Sequence, residues 1–185
     1  MTQEQYTQFV HYQALSKNSL DFLNSDEEKM KTVYIEMINN AQSEFRIFAG
    51  TLACEVTNST EFVETLSDFI ERGGKIHILL NRYDEEIVLK SQLFKRLAYY
   101  KSKNKEVVIK RSLDHPYIVT QEGNKNVHFA LGDKTSYRIE TDINKRTAIC
   151  NMNNPEKAAE FAAFFDGLFK KQENTEIDLV KLFQL

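Results

Sequence analysis

Apolar residues fall at helical spacing in long stretches and in short unbroken runs between them, and the two patterns alternate. Met30, Val33, Tyr34, Met37, Ile38 and Ala41 form one apolar stripe of period 3.6, which predicts a core-facing helix ending near Ala41. Ser25 with Glu28 three residues on has capping-box form at its start. Residues 44–50, Glu-Phe-Arg-Ile-Phe-Ala-Gly, are short, apolar and end at glycine, which predicts a strand. A loop over 51–57 follows. Asn58 and Glu61 have capping spacing before a helix with Phe62, Val63, Leu66, Phe69 and Ile70 on one side, and Gly73-Gly74 stops it. Residues 75–81 read as the second strand and 106–110 as the third, with a helix over 87–100 between them. Strand, helix, strand within so short a span is a βαβ unit, which implies parallel pairing. In an open α/β sheet, loops at the carboxyl ends of strands line the ligand crevice. The 51–57 loop is therefore a candidate site wall.

The ends of the chain are less regular. Residues 1–24 show only partial helical period and are expected to form an N-terminal helical arm. Residues 112–125 are rich in turn formers, with Tyr117-Ile118-Val119 as a short extended piece. Residues 126–132 and 136–142 alternate on either side of Gly132-Asp133-Lys134-Thr135, the signature of a hairpin. His128 and Ala130 then share one side of the first strand; Arg138, Glu140 and Asp142 share one side of the second. A third run, Thr147-Ala148-Ile149-Cys150, precedes Asn154-Pro155, a cap and first-turn proline for a helix carrying Ala158, Phe161, Ala162, Phe165 and Leu168. Residues 172–185 predict a short final helix, packed on its own domain or on a dimer partner.

Composition narrows the class without naming a function. The chain has 185 residues and a net charge of -3. That length suffices for one domain with a sizeable core, and the charge argues against general nucleic-acid binding. Two prolines and six glycines leave no flexible linker. The two cysteines, Cys54 and Cys150, match no zinc or disulfide spacing. No run approaches the length of a membrane span, and the N-terminus lacks a signal pattern, so no membrane association and a cytoplasmic address are expected. One local basic excess runs from 90 to 111, where eight Lys or Arg residues, Lys101, Lys103 and Lys105 among them, face only Glu106. It is a candidate phosphate or nucleic-acid patch, or a solvated helix side. His77, among apolar neighbours, reads as a structural histidine.

From its order of elements, its hairpin with His128 and its Asn-rich turn before a helix, the segment 25–171 resembles one repeat of the phospholipase D-like family. That resemblance implies an α/β domain with a mixed central sheet and helices on both faces. The family carries an H-x-K-x4-D segment on a hairpin. Here His128 matches the histidine, Asp133 the aspartate after a two-residue deletion, and Ala130 stands where the lysine would be. The family's chemistry, as the resemblance implies it, uses histidine as nucleophile on phosphorus and lysine to hold the anionic oxygens. Without that lysine, the charge developing in phosphoryl transfer loses its electrostatic partner. Glu140, near the segment that lines the phosphate pocket, would repel a phosphodiester.

The reading that follows is a degenerate, non-catalytic module that acts by binding protein, or nucleic acid; His128, Arg138, Glu140 and Asp142 would form a structural network or an interaction surface, and Asp133, Glu140, Asp142 and the three lysines are the binding candidates. The alternative is a divergent phosphodiesterase or nuclease with His128 as nucleophile and Arg138, a bidentate phosphate holder, in place of the lysine. Single-repeat family members build one site from two chains, so the resemblance also implies a homodimer. A metal site at Asp133, Glu140 and Asp142 is the least favoured reading; no metal and no cofactor are expected. Arg138 and Glu140 can pair across the hairpin side; if exposed, that pair would contribute only about 0–1 kcal/mol.

Overall fold

The computed structural model describes residues 1–121 and 123–185; Glu122, in the turn-forming segment, lies outside them. Strands Phe22–Asn24 (β1), Glu44–Ala49 (β2), Lys75–Leu80 (β3), Val107–Arg111 (β4), Phe129–Gly132 (β7), Ser136–Asp142 (β8) and Thr147–Asn151 (β9) form one sheet. Its order is β1-β9-β8-β7-β2-β3-β4. The strands of the sequence-predicted βαβ succession, β2, β3 and β4, pair in parallel, and the remaining neighbours pair antiparallel. The sheet is mixed, as expected. Tyr117–Thr120 (β5) and Gly123–Asn126 (β6) make a separate two-stranded hairpin.

Helices cover both faces. Gln3–Leu15 (α1), Glu27–Asn40 (α2), Glu55–Asn58 (α3), Thr60–Glu71 (α4), Glu85–Lys90 (α5) and Gln92–Ser102 (α6) pack on one side, over Phe45, Ile47, Ile76, Ile78, Ala130, Ala148 and Cys150. Pro155–Phe169 (α7) covers the other, over Phe48, Leu79, Phe129, Leu131, Tyr137 and Ile139. Alternation along each strand sends successive side chains to these two cores. The α2 stripe read from the sequence is buried throughout.

Several boundaries moved, each for a local reason. The expected arm over 1–24 is helical only in α1; Phe22–Asn24 joins the sheet as an edge strand beside β9. Phe9 meets Phe22 edge-on, 5.4 Å between ring centres, so the arm is sewn to the core. Asp26, not Ser25, caps α2, because its carboxylate reaches the Lys29 amide at 2.9 Å. Ser59 caps α4, and the Asn58 side chain instead bonds Cys54 O, Ser91 Oγ and Leu93 N. The single helix expected over 87–100 breaks at Ser91, which caps α6 and donates its hydroxyl to Asn58 Oδ1 at 2.6 Å. The expected 51–57 loop turns helical at Glu55, where α3 begins. The first hairpin strand starts at Phe129; residues 123–126 belong to the small hairpin. In the tail, Thr175 and Ile177 bond to Arg111 and Ile109 along β4, and Leu179–Leu182 (α8) buries Leu179 on its own domain.

Candidate functional site

Parallel pairing puts the carboxyl ends of β2, β3 and β4 at one edge of the sheet. Antiparallel pairing brings the start of β7 and the end of β8 to the same edge. Phe48 is opposite Phe129, so His128 lies beside Ala49 and Gly50. Asn81 and Arg82 donate backbone N–H groups to Ala49 and Gly50 at 3.0 and 3.2 Å. The tight approach depends on glycine: a Cβ at Gly50 would stand 2.6 Å from Arg82 Nη2. The guanidinium of Arg82 therefore lies flat on the turn after β2.

His128 and Glu140 are cross-strand neighbours, with Glu140 N donating to His128 O at 2.8 Å. His128 Nδ1 and Glu140 Oε2 are 3.1 Å apart. Burial pushes the Glu140 carboxyl up, but the His128 hydrogen bond and the Arg138 charge outweigh it and hold it below the usual range. An ionised carboxylate only accepts, so Nδ1 carries the proton and Nε2 is left for the cleft. Arg138 closes the network from below. It donates to Asn24 Oδ1 at 2.9 Å, Glu140 Oε1 at 3.1 Å and Arg146 O at 3.3 Å, and lies over the Tyr34 ring. Burial works against its charge, but Tyr34 and Glu140 keep it protonated.

The residues nominated from sequence divide into two groups. His128, Glu140, Arg138 and Asp142 come together at the carboxyl edge. Arg138 is 1% exposed and Glu140 3%, so the pair is buried, and the magnitude for an exposed pair does not apply. The same burial corrects the idea of Arg138 as phosphate holder: its guanidinium is engaged by three protein oxygens and does not line the cleft. Asp142 accepts from the Asn144 and Lys145 amides at 3.0 and 3.1 Å and shapes the β8–β9 turn. Asp133 sits at the opposite edge, where its carboxylate accepts from the Gln42, Ser43 and Glu44 amides at 2.8 to 2.9 Å. Burial pushes it up, but those amides hold it below the usual range. It is a clamp on the start of β2 and does not meet His128, so Asp133, Glu140 and Asp142 cannot share one metal. Among the described residues no group of three or more His, Cys, Asp or Glu could hold a metal ion. Lys101, Lys103 and Lys105 also lie at the amino edge, before β4. Lys101 pairs with Glu176 at 3.0 Å, Lys105 with Glu71 at 3.5 Å, and Lys103 lies over Tyr99. They are not part of the His128 site.

The residues that sequence reasoning passed over are Arg82, Arg146, His115 and Asn24. A cleft of about 500 Å³ is lined by Arg82, His115, Asn126, His128 and Asp142. A smaller pocket of about 60 Å³ lies between the Gly50–Cys54 turn, His128, Glu140, Arg82 and Arg146. Arg146 Nη1 is 4.0 Å from Glu140 Oε1. The signal for Arg82 was present: it directly follows a parallel strand, at the end where such sheets bind ligands. No signal in the sequence marked Asn24.

No family model and no curated protein matches the chain by sequence. Solved structures do. TrmBL2, an archaeal chromatin protein described as showing a novel mode of DNA binding, superposes with a TM-score of 0.62 at 13% identity, over 85% of this chain and 53% of that one. The chain thus spans about half the length of that protein. Nuc from Salmonella typhimurium, a phospholipase D family member, matches with a TM-score of 0.55 at 10% identity, over 85% of this chain and 99% of that one. NucT from Helicobacter pylori matches with a TM-score of 0.55 at 11% identity and the same coverage. The chain has a phospholipase D-like fold. Among the described residues no helix is long and apolar enough to cross a membrane.

Proposed function

We propose that this chain is a phospholipase D-like binding module that receives a phosphate-bearing anion in the cleft beside His128 and does not turn it over. The observation that carries this reading is Ala130. The residue two after the histidine is wholly buried in the apolar core, so no cation rises from that position to the imidazole. Arg138, the nearest guanidinium on the hairpin, is tied into the buried network. Binding without turnover is what a positive, concave edge retains once its preorganised charge stabilisation is gone. The DNA binding named for TrmBL2 agrees with an anionic ligand. The test is incubation with a chromogenic phosphodiester, with phospholipid and with nucleic acid: binding without product is expected. Product formation lost in His128→Ala would overturn the reading.

One observation favours a second reading. Arg82 and Arg146 line the same small pocket as His128 and Glu140, so a divergent phosphodiesterase would use Arg82 where the sequence pointed to Arg138. Under that reading Arg82→Ala abolishes turnover, and turnover intact in that variant rules it out. The resemblance also supports a homodimer; light scattering that reports only monomer across concentration removes that part of the proposal.

A further inference from the structure

Part of the basic segment 90–111 finds no partner within its own chain. The exposed positions of α6 include Gln92, Lys95, Arg96 and Tyr99, and Lys103 just past its end continues them as one stripe at helical spacing. Tyr99 is 45% exposed, with the Lys103 ammonium 5.6 Å from its ring centre. The neighbouring helix α4 shows the opposite sign, with Glu61, Glu64, Asp68 and Glu71 exposed. Lys31 reaches Glu61 at 3.7 Å and Lys105 reaches Glu71 at 3.5 Å. Among the described residues Glu64, Asp68, Lys95 and Arg96 have no opposite charge within ion-pair distance. Between the two stripes is a hollow of about 350 Å³, lined by Val63 of α4 and by Gln92, Lys95, Arg96 and Tyr99 of α6. It shares no residue with the cavities around His128.

The two helices run side by side, in the same direction and nearly level. Asn58, just before α4, accepts from Ser91 Oγ at 2.6 Å and from Leu93 N at 3.2 Å, at the start of α6. At the other end Lys105, just past α6, meets Glu71, the last residue of α4. Counted from Thr60 and from Gln92, Glu64 is therefore level with Arg96 and next to the level of Lys95, Asp68 falls between Arg96 and Lys103, and Glu71 is level with Lys103.

We infer that the α4–α6 surface docks a second copy of this chain. A two-fold axis along the hollow, parallel to the helices, lays α6 of each copy on α4 of the other without changing level. Lys95 and Arg96 then face the glutamate at position 64 across the interface, Lys103 faces the acids at 68 and 71, and Val63 and Tyr99 of both copies flank the axis. An axis across the helices would set α4 on α4 and α6 on α6, like charge against like, so the charges select the first arrangement. Two helix faces about 17 Å long bury less than a standard interface, which places the contact in the transient class, held by charge and weakened by salt. A nucleic-acid strand on the same stripe would meet the α4 carboxylates, and one exposed tyrosine is no stacking platform. The inference is independent of the anion-binding reading. The dimer implied by the family resemblance would join two His128 clefts; this contact is a separate one.

The test is sedimentation velocity of the full chain over a range of concentrations, at low and high salt. A monomer–dimer equilibrium that weakens with salt is expected. Lys95→Glu with Arg96→Glu in one variant, and Glu64→Lys with Asp68→Lys in another, should each raise the dissociation constant about tenfold or more. Mixed in equal amounts, the two variants should associate again, because the acidic α6 of one then faces the basic α4 of the other at both contacts. All four side chains are exposed, and thermal melts check that each variant folds. A chain that stays monomeric at every concentration overturns the inference. So does a mixture that fails to associate. A dimer that survives both reversals overturns it too, places the contact on another face and leaves the dimer of the resemblance standing. Binding of an oligothymidylate that depends on Lys95 and Arg96, without self-association, would assign the stripe to nucleic acid instead. None of these outcomes bears on the His128 cleft, which is lined by other residues.

Discussion

The two ends of the same sheet carry similar residues and treat them differently. At the amino end every charge discussed has a partner. Asp133 holds three amides. Arg46 sits between Glu44 at 2.8 Å and Asp166 at 2.9 Å. His77, kept neutral by burial, lies between Glu44 and Glu106 and meets Phe169 at a tilt. Lys101 and Lys105 meet surface glutamates. At the carboxyl end the inner layer is equally closed, from Asn24 through Arg138 and Glu140 to His128. The outer layer is not: among the described residues Arg82, in the cleft, and Lys145, on the β8–β9 turn, have no carboxylate within ion-pair distance. In the lysine-rich segment Lys101 and Lys105 are paired with glutamates and Lys103 lies over a ring, so a count of charges alone does not distinguish the two ends. Function follows from where pairing stops, because only an unpaired or loosely paired charge has free energy to give to a ligand.

The largest way to break this comparison is to open the closed layer. Arg138→Ala would leave Glu140 buried with fewer partners and Asn24 Oδ1 without its guanidinium. We predict a loss of about 3–5 kcal/mol of stability, read from urea unfolding. A loss under about 1 kcal/mol would mean that the pair behaves as a surface pair. Asp133→Ala should cost less, about 2 kcal/mol, since it orphans amides that water can partly reach, and it should leave anion binding unchanged. An effect of that variant on binding would join the two ends functionally.

The pH dependence has a definite sign. Glu140 and Asp133 are held below their ordinary values of 4.5 and 3.8, so the unfolded chain takes up protons first. Their contribution is complete above the ordinary carboxylate range and is lost as pH falls through it. His77 acts earlier. Burial lowers its value from 6.5, despite Glu44 and Glu106, so the folded state keeps it neutral, and stability starts to decline as pH drops below 6.5. Urea midpoints measured from neutral to acid pH should therefore fall in two stages. His77→Gln should remove the first and Glu140→Gln should diminish the second. Stability that rises on acidification would contradict the assignment.

The smallest stability effect belongs to the outer layer. Arg82→Ala should shift stability by no more than about 0.5 kcal/mol while weakening anion binding. Replacing Lys101, Lys103 and Lys105 together by alanine should leave anion binding unchanged. If the triple variant loses binding and Arg82→Ala does not, the contrast between the two ends is reversed.

Much of the framework was legible because it depends on local pattern. The α2 stripe, the β2–α4–β3 unit, the hairpin at Gly132–Thr135 and the Asn154-Pro155 start of α7 each follow from spacing and capping within a few residues. The misreadings have distant causes. Phe22–Asn24 is a strand only because β9 offers it an edge. Ser91 interrupts a plausible helix because Asn58, far back in the chain, accepts its hydroxyl and the Leu93 amide. His128, Arg138, Glu140 and Asp142 were legible as a group, since alternation put them on neighbouring hairpin strands. Their roles were not. A guanidinium that holds a phosphate and one that holds the fold look identical in sequence, and burial alone separates Arg138 from Arg82.

By itself the sequence determined the alternation of helices and strands, the hairpin bearing His128 and the absence of a lysine two residues after it, because these are set by neighbours along the chain. The tertiary structure alone decided which end of the sheet is charge-balanced, which arginine is exposed, and that Arg82 and Arg146 share a pocket with His128. Those facts depend on strand order, and strand order brings together side chains whose separation in sequence carries no record of their contact.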